Sequence, residues 1–336
     1  MMTEQEHPFA HYVRTLARGK RARRDLTREE AAAAMGMILD GGATDLQTGA
    51  FLMSMRVKEE TPEELAGFLD ASRQRIAPLL PAPLAVDLDW PCYAGKKKHS
   101  PWHLLAAWLL ACNGRRVLLH GGPEHTPGRL YTDQLLRQRG WPVPATLAQL
   151  EEALQQHGIA YAPLSLFSPA LHRLLGLRSE LGLRSPINSL TRGLNPAGAP
   201  VSLQSIFHPA YLDLHAGAAR LCDQHRTVVI KGEGGDPEWR PDASNRVVSI
   251  FRGETCESQV PASLRRASPT GVAPEQIDQL WQQAETAADD YGTQAVIGTL
   301  AVALMAEAGG SDPTAFRQAA EALWQRRDRA RLPFHP

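Results

Sequence analysis

Apolar positions in the first eighty residues return at near-helical spacing, as in Leu46, Gly49, Ala50, Leu52 and Met53, and helix-start signals precede the repeats. Thr27-Arg28-Glu29-Glu30 and Thr44-Asp45-Leu46-Gln47 are capping boxes, in which the threonine oxygen accepts from the amide three residues on and the Glu or Gln side chain reaches back. Thr61-Pro62-Glu63-Glu64 adds proline at the first helical position and acids facing the positive end of the helix dipole. Gly41-Gly42 closes the helix before the second box. Several short helices packed together are predicted, and Pro78–Pro83 (PLLPAP) interrupts them as a hinge.

Beyond the hinge the period shortens. Short β-branched-rich runs at Leu84–Leu88, Val117–His120, Thr227–Lys231 and Val247–Phe251 alternate with helical stretches such as Trp102–Cys112, which predicts a sheet covered by helices. Between Leu164 and Pro200 the character changes again. Ser168-Pro169 opens a helical stretch and Leu194–Pro200 closes it, so this piece is expected to rejoin the helical module. The expected α/β organisation is a helical domain over residues 1–80, joined by 165–200, and a larger domain with a mostly parallel central sheet over 84–164 and 201–336.

A chain of 336 residues exceeds the commonest single-domain size, in keeping with two unequal domains. Hydrophobic residues make up 43% and charged residues 21%, with no run of eighteen apolar residues, so a globular chain without a membrane anchor is expected. The N-terminus lacks the basic-then-apolar order of a secretory signal, which makes the cytoplasm the expected compartment. Cys92, Cys112, Cys222 and Cys256 show no C-x-x-C spacing and read as ordinary thiols. The formal net charge of zero conceals an asymmetry. His11–Arg28 carries Arg14, Arg18, Lys20, Arg21, Arg23, Arg24 and Arg28 against Asp25 alone, whereas Gly271–Phe316 carries Glu275, Asp278, Glu285, Asp289, Asp290, Glu307 and Asp312 with no Lys or Arg.

The run Leu26–Ala31, then Asp45, Gln47, Gly49–Met53, Arg56-Val57-Lys58 and Thr61-x-Glu63-Glu64-Leu65, resembles the helical domain of the anthranilate phosphoribosyltransferase family. Leu181–Leu190 with Leu194–Ala197 is similar to that family's L-G-x-R-T-x-x-N-x-L-G-P-L-x-N-P, and His208-Pro209 and Val228–Gly235 continue the match in order. The resemblance implies a small helical domain and an α/β domain of the nucleoside phosphorylase and phosphoribosyltransferase type, with phosphoribosyl diphosphate and anthranilate sites in the cleft between them. It also implies pairing of two copies through the helical domain.

The departures fall where the family does chemistry. Its glycine-rich G-T-G-G-D turn, which lets backbone amides approach a diphosphate, corresponds here to Cys92-Tyr93-Ala94-Gly95-Lys96-Lys97-Lys98. Its K-H-G-N-R becomes Leu119-His120-Gly121-Gly122-Pro123, and its metal-binding G-L-D-E becomes Gly235-Asp236-Pro237-Glu238, with a proline parting the carboxylates. These losses resemble a branch called YbiB-like, whose members keep the fold, form dimers and bind DNA or RNA without sequence preference.

That likeness implies a nucleic-acid-binding protein with no catalytic residues, no metal and no cofactor. Lys96, Lys97 and Lys98 are expected to face the cleft and take bare phosphates, since lysine is a flexible point charge; a solvated loop is the plain alternative. Arg173, Arg178, Arg184 and Arg192 are expected to form a second basic set, with Arg173 and Arg184 on one face of a continuous helix. Arg184 also matches the family's active-site arginine, so both roles stand open. Lys231 is expected to add to the phosphate field, and Gly95, His120, Gly121, Gly122 and Asn188 to remain from a substrate cleft. Histidine is a common general acid or base, but no acidic or nucleophilic partner is identifiable for His120 in the sequence, so a structural role is expected. Trp102, His103 and Trp108 read as core or cleft wall. The basic run Arg14–Arg28 fits a dimer interface, a phosphate contact or a solvated face. The alternative reading is an active Mg-dependent transferase, moving a phosphoribosyl group from phosphoribosyl diphosphate onto anthranilate or another aromatic acceptor; it rests on the retained Arg184, Asn188 and His120-Gly121. A scaffold acting through the acidic C-terminal stretch is a third.

Overall fold

A computed structural model of the chain describes residues 6–19, 21–80, 84–224, 226–284, 287 and 290–335. Lys20, Pro81–Pro83 of the hinge, Glu285 and Asp289 lie outside the described residues. The chain opens with helices α1 (Ala10–Ala17), α2 (Arg28–Leu39), α3 (Asp45–Lys58) and α4 (Pro62–Ile76). Thr27, Thr44 and Thr61 each close a complete capping box at the start of α2, α3 and α4, so the local chemistry read from the sequence sets these three boundaries.

The remainder alternates strands and helices: β1 (Leu88–Pro91), α5 (His103–Cys112), β2 (Val117–Gly121), α6 (Thr132–Gln138), α7 (Leu147–His157) and β3 (Ile159–Pro163). Four short helices follow, α8 (Leu164–Phe167), α9 (Pro169–Gly176), α10 (Arg178–Leu181) and α11 (Ile187–Arg192). Then come β4 (Val201–Ile206), α12 (Tyr211–Leu221), β5 (Arg226–Lys231), β6 (Asn245–Phe251), β7 (Glu254–Val260), α13 (Glu275–Gln282), α14 (Tyr291–Ala308) and α15 (Arg317–Gln325). The first strand therefore begins at Leu88, where the expected Leu84–Leu88 run ends. The strands form one sheet in the order β3-β2-β1-β4-β5-β6-β7, parallel from β3 through β5 and antiparallel at β6 and β7.

Alternate residues of one strand serve different cores, which is why the central strands are apolar on both faces. Val117 and Leu119 join α5 and α14 in one cluster, whereas Leu118 joins the cluster that includes α1–α4, α9 and α11. Arg73 of α4 clasps the chain near α11, donating from Nε to the Leu194 carbonyl (2.8 Å) and from Nη2 to that of Gly193 (2.6 Å). The segment after β3 thus packs with the N-terminal helices. The continuous helix expected from Arg173 to Arg184 does not form: α9 ends at Gly176, and after α10 Gly182 adopts φ +72° and turns the chain away.

The acidic C-terminal stretch is largely engaged within the fold. Asp278 pairs with Arg139, and Glu307 with Arg115 at 3.2 Å. Asp290 and Asp312 cap helices, accepting from the amides of Thr293 (2.6 Å) and Thr314 (2.9 Å). In the basic N-terminal run, Arg28 is likewise fixed, by Asp70 at 2.6 Å. Among the described residues no single helix is long and apolar enough to cross a membrane.

Candidate functional site

In a sheet whose strand order reverses between β1 and β4, ligands bind where the carboxyl ends of those strands diverge. The loops leaving β1 (Cys92–Lys98), β4 (Phe207–Pro209) and β5 (Gly232–Glu238) meet there, against α3, α10 and α11. Two connected hollows result. One, of about 320 Å³, is lined by Lys97, Lys98, Arg129, Lys231, Arg240 and Arg266 among others; the second, of about 100 Å³, is lined by Arg56, Arg184, Asn188 and Arg192, and Phe207 and His208 border both.

Lys96 does not face this cleft, contrary to expectation. Its side chain is 1% exposed, and Nζ lies 2.7 Å from Glu238 Oε1, in contact also with the Glu233 carboxylate. The backbone dictates the turn inward: Gly95 takes φ +65°, and the Lys96 amide and carbonyl pair with Leu130. Burial alone would depress the ammonium, but Glu238 and Glu233 overcome it and hold its pKa above the ordinary value. Burial would likewise raise Glu238, but Lys96 and His103 hold its carboxyl below the ordinary range. His103 completes the cluster, its amide donating to Glu238 Oε2 at 2.9 Å. Lys97 and Lys98, by contrast, are exposed on the rim.

The carboxylates of the β5 loop are therefore occupied by the protein itself. Asp236 Oδ1 accepts from the Ala94 amide at 2.9 Å, and Glu233 and Glu238 share the lysine. Among the described residues no group of three or more His, Cys, Asp or Glu is placed to hold a metal ion. A divalent cation needs carboxylate oxygens open to it and its hydration shell, and here the cation is an ammonium. The residues present do not fit a magnesium diphosphate.

The opposite wall is cationic. Arg192, buried, donates from Nη1 to the carbonyls of Ser205 (3.0 Å) and Gly235 (2.8 Å). Arg129 donates to the Ala94, Gly95 and Gly234 carbonyls at 2.9, 3.2 and 3.2 Å. Arg178 donates to the His125 carbonyl at 2.8 Å and to the Thr126 hydroxyl. Arg56 donates to the Tyr211 hydroxyl at 2.9 Å, and Arg184 to the Thr126 hydroxyl at 3.4 Å. Among the described residues none of these five has a carboxylate within 4.0 Å. Burial and mutual repulsion act on Arg192 and Arg184. Burial, with Arg184 and Arg129 nearby, brings Arg192 down to about 10, still charged at neutral pH, and burial with the neighbouring Arg129 and Arg178 lowers Arg184. Burial and these arginines push His125 down to about 4, despite a bond to the Pro123 carbonyl.

Of the residues singled out in the sequence, Lys97, Lys98, Lys231, Arg184, Arg192 and Asn188 come together in the cleft, and Arg178 flanks it through Thr126. Arg173 stays apart, exposed and paired with Asp45 at 3.0 Å. His120 is buried and does have an acidic partner: its Nε2 lies 3.0 Å from Asp89 Oδ1, and Nδ1 lies 2.8 Å from the Tyr93 hydroxyl. Gly121 and Gly122 border a different hollow and are required by packing, since a Cβ would meet the Tyr161 hydroxyl at 2.5 Å and Leu175 at 2.4 Å. Sequence reasoning missed Arg56 and Arg129. The first sat in the quoted family motif, and only the fold brings the second beside Gly95.

Residues 11–76 match the family model described as the glycosyl transferase family, helical bundle domain. The chain is 31% identical over 307 residues to an anthranilate phosphoribosyltransferase of Anaeromyxobacter sp., covering 90% of this chain and 85% of the relative. It is 32% identical to an uncharacterized protein of Aquifex aeolicus, over 78% of this chain and 80% of that protein. Among solved structures, anthranilate phosphoribosyltransferase from Thermus thermophilus superposes with a TM-score of 0.76 at 23% identity, over 95% of both chains. The Saccharomyces cerevisiae enzyme, solved in complex with PRPP and Mg, superposes at 0.74 and 17% identity, over 94% of this chain and 92% of that one. The fold, a helical bundle joined to a mostly parallel sheet, is thus that of the anthranilate phosphoribosyltransferases. This chain belongs to the anthranilate phosphoribosyltransferase family.

Proposed function

We propose that this member of the family binds nucleic acid through its phosphate backbone, without sequence preference, and performs no transfer. One observation carries the reading: among the described residues Arg56, Arg129, Arg178, Arg184 and Arg192 gather at the cleft with no carboxylate within 4.0 Å, while of its acids Glu233 and Glu238 are neutralised by Lys96 and Asp242 lies 3.8 Å from Arg240. Cations gathered in a partly dry cleft repel one another, and phosphates relieve that repulsion. Binding needs neither metal nor cofactor. Charge set along Lys97, Lys98, Lys231, Arg129, Arg56, Arg184 and Arg192 addresses a polyanion, and no base-specific contact is required. Residues 1–80 with 165–200 act as the helical domain in this reading, and 84–164 with 201–336 as the other. The partner is single- or double-stranded nucleic acid, and two copies pair through the helical domain. Leu46 and Val57, 84% and 75% exposed and three turns apart on one face of α3, support that pairing.

The names of the relatives favour a second reading, phosphoribosyl transfer to anthranilate or another aromatic acceptor with magnesium. Fluorescence anisotropy of a labelled single strand at several salt concentrations tests the first. Log K should fall by about 0.7 per phosphate contact for each log unit of salt. Absent binding, or a salt-independent affinity, refutes it. Calorimetry with phosphoribosyl diphosphate and Mg²⁺ tests the second, for which a micromolar affinity is the supporting result.

A further inference from the structure

At the other end of the sheet lies a larger hollow. It measures about 800 Å³ and is bordered by Arg73 of α4, Arg220 of α12, Arg226 at the start of β5, and Phe251 and Arg252 at the β6–β7 turn. Strand β5 separates it from the cleft: Arg226 begins the strand and Lys231 ends it, a rise of about 17 Å. Among the described residues none of the four arginines has a carboxylate within 4.0 Å; Asp223 is the acid on its border.

Two further observations mark this hollow as built for a ligand. Arg252 and Gly253 form a two-residue hairpin turn with φ +51° and +85°, positions that favour Asn-Gly. An arginine held in left-handed backbone is strained, and such strain collects at binding sites. The guanidinium carbons of Arg252 and Arg226 lie 5.1 and 5.8 Å from the centre of the Phe251 ring, so an aromatic surface fixes both heads. The neutral polar groups, meanwhile, are already engaged. Asn195 exchanges two 2.8 Å bonds with the Ala199 main chain, and Gln224 Oε1 accepts from the Thr227 hydroxyl at 3.2 Å. Arg73 is already held by the Gly193 and Leu194 carbonyls, but the guanidinium groups of Arg220, Arg226 and Arg252, beside satisfied amides, are placed to recognise anionic oxygen and leave base edges unread.

We infer that this hollow binds a polyphosphate group, carried by a nucleoside di- or triphosphate whose ring lies against the apolar wall of Pro200, Ile250 and Phe251. The volume suits a ligand of that size. The inference stands independently of the function assigned to the cleft. Arg73 comes from α4, Arg220 from α12, and Arg226 and Arg252 from the sheet, so the occupant touches helices and sheet alike.

Calorimetry in EDTA, with ATP, GTP and inorganic triphosphate as probes, tests the assignment. ATP and GTP should bind alike and more tightly than triphosphate, which lacks the ring; triphosphate binding as tightly as ATP would overturn the nucleoside part. Arg252→Asn and Arg226→Gln should each weaken ATP about tenfold or more, the worth of one charge-assisted contact. Arg252→Asn relaxes the turn and keeps or raises the melting temperature, so its loss of binding is not a loss of fold. Lys97→Gln with Lys98→Gln, at the cleft, should leave ATP affinity within about twofold. The inference is overturned if the wild-type chain binds no nucleotide at millimolar concentration, or if the arginine variants bind as tightly as it does. It is equally overturned if the cleft variant alone loses ATP, which would move the site to the cleft.

Discussion

Replacing Lys96 by methionine keeps most of the side-chain volume and removes the ammonium between Glu233 and Glu238. Both carboxylates are nearly inaccessible, at 8% and 0% exposure, so neither recovers its hydration when the cation goes. Removing one partner of a buried ion pair costs about 3–5 kcal/mol, a large share of a total stability of roughly 5–15 kcal/mol. The pH dependence separates charge from packing. In the native chain Glu238 sits below its ordinary 4.5, so its stabilisation is present above that value and is lost as pH falls through the lowered pKa. Lys96 sits above its ordinary 10.5, so its contribution is present below that value and is lost as pH rises through the raised one. In Lys96→Met the unpaired acids instead favour protonation, and the deficit should shrink between pH 7.5 and pH 5. Urea unfolding followed by tryptophan fluorescence measures this, because Trp90, Trp102 and Trp108 share the adjoining core. Adding Glu233→Gln and Glu238→Gln to Lys96→Met should recover more than half of the loss. A deficit under about 1 kcal/mol, the net worth of an ordinary hydrogen bond, would refute the reasoning, as would a deficit independent of pH.

Three further outcomes are expected. Lys97→Gln with Lys98→Gln should weaken single-stranded DNA and lower the salt slope by about 1.4, two contacts at about 0.7 each, read by anisotropy. Gly232→Ala should lose more than about 3 kcal/mol, the range of severe overpacking, because its Cβ would meet the Asp236 carbonyl oxygen at 1.7 Å and the Ser205 hydroxyl at 2.3 Å; thermal melting shows it. Because His125 is pushed down to about 4, its protonation should leave nucleic-acid affinity unchanged from pH 8 to 6, and a histidine NMR titration with a midpoint near 6.5 would contradict that.

The helix starts were legible because a capping box is a local exchange between residues three apart, as at Thr27, Thr44 and Thr61. Strands were legible only where their composition was distinctive. Val117–Gly121 is an apolar run, but β7 is a polar edge strand of sequence ETCESQV, and nothing in its pattern announces pairing. The cleft cations read from charge alone divided according to tertiary structure. Lys96, Lys97 and Lys98 are chemically identical neighbours, and only the pairing of Lys96 with Leu130 decides which one turns toward Glu238. The Asp89 partner of His120 was hidden for the same reason, since parallel β1 and β2 bring together residues thirty-one positions apart. The helix expected between Arg173 and Arg184 breaks at Gly176 and again at Gly182, residues already at odds with a helical interior.

The cleft arginines lean on main-chain carbonyls: Arg129 on three, Arg192 on those of Ser205 and Gly235, Arg178 on that of His125. A guanidinium tethered in this way has surrendered its rotamer freedom at folding, roughly 2 kcal/mol for each such side chain. An arriving anion therefore waits for no side chain to search for a pose. The consequence is one of timing. Under the proposed nucleic-acid reading, capture should approach the rate set by diffusion and electrostatic steering, with no slow rearrangement after encounter.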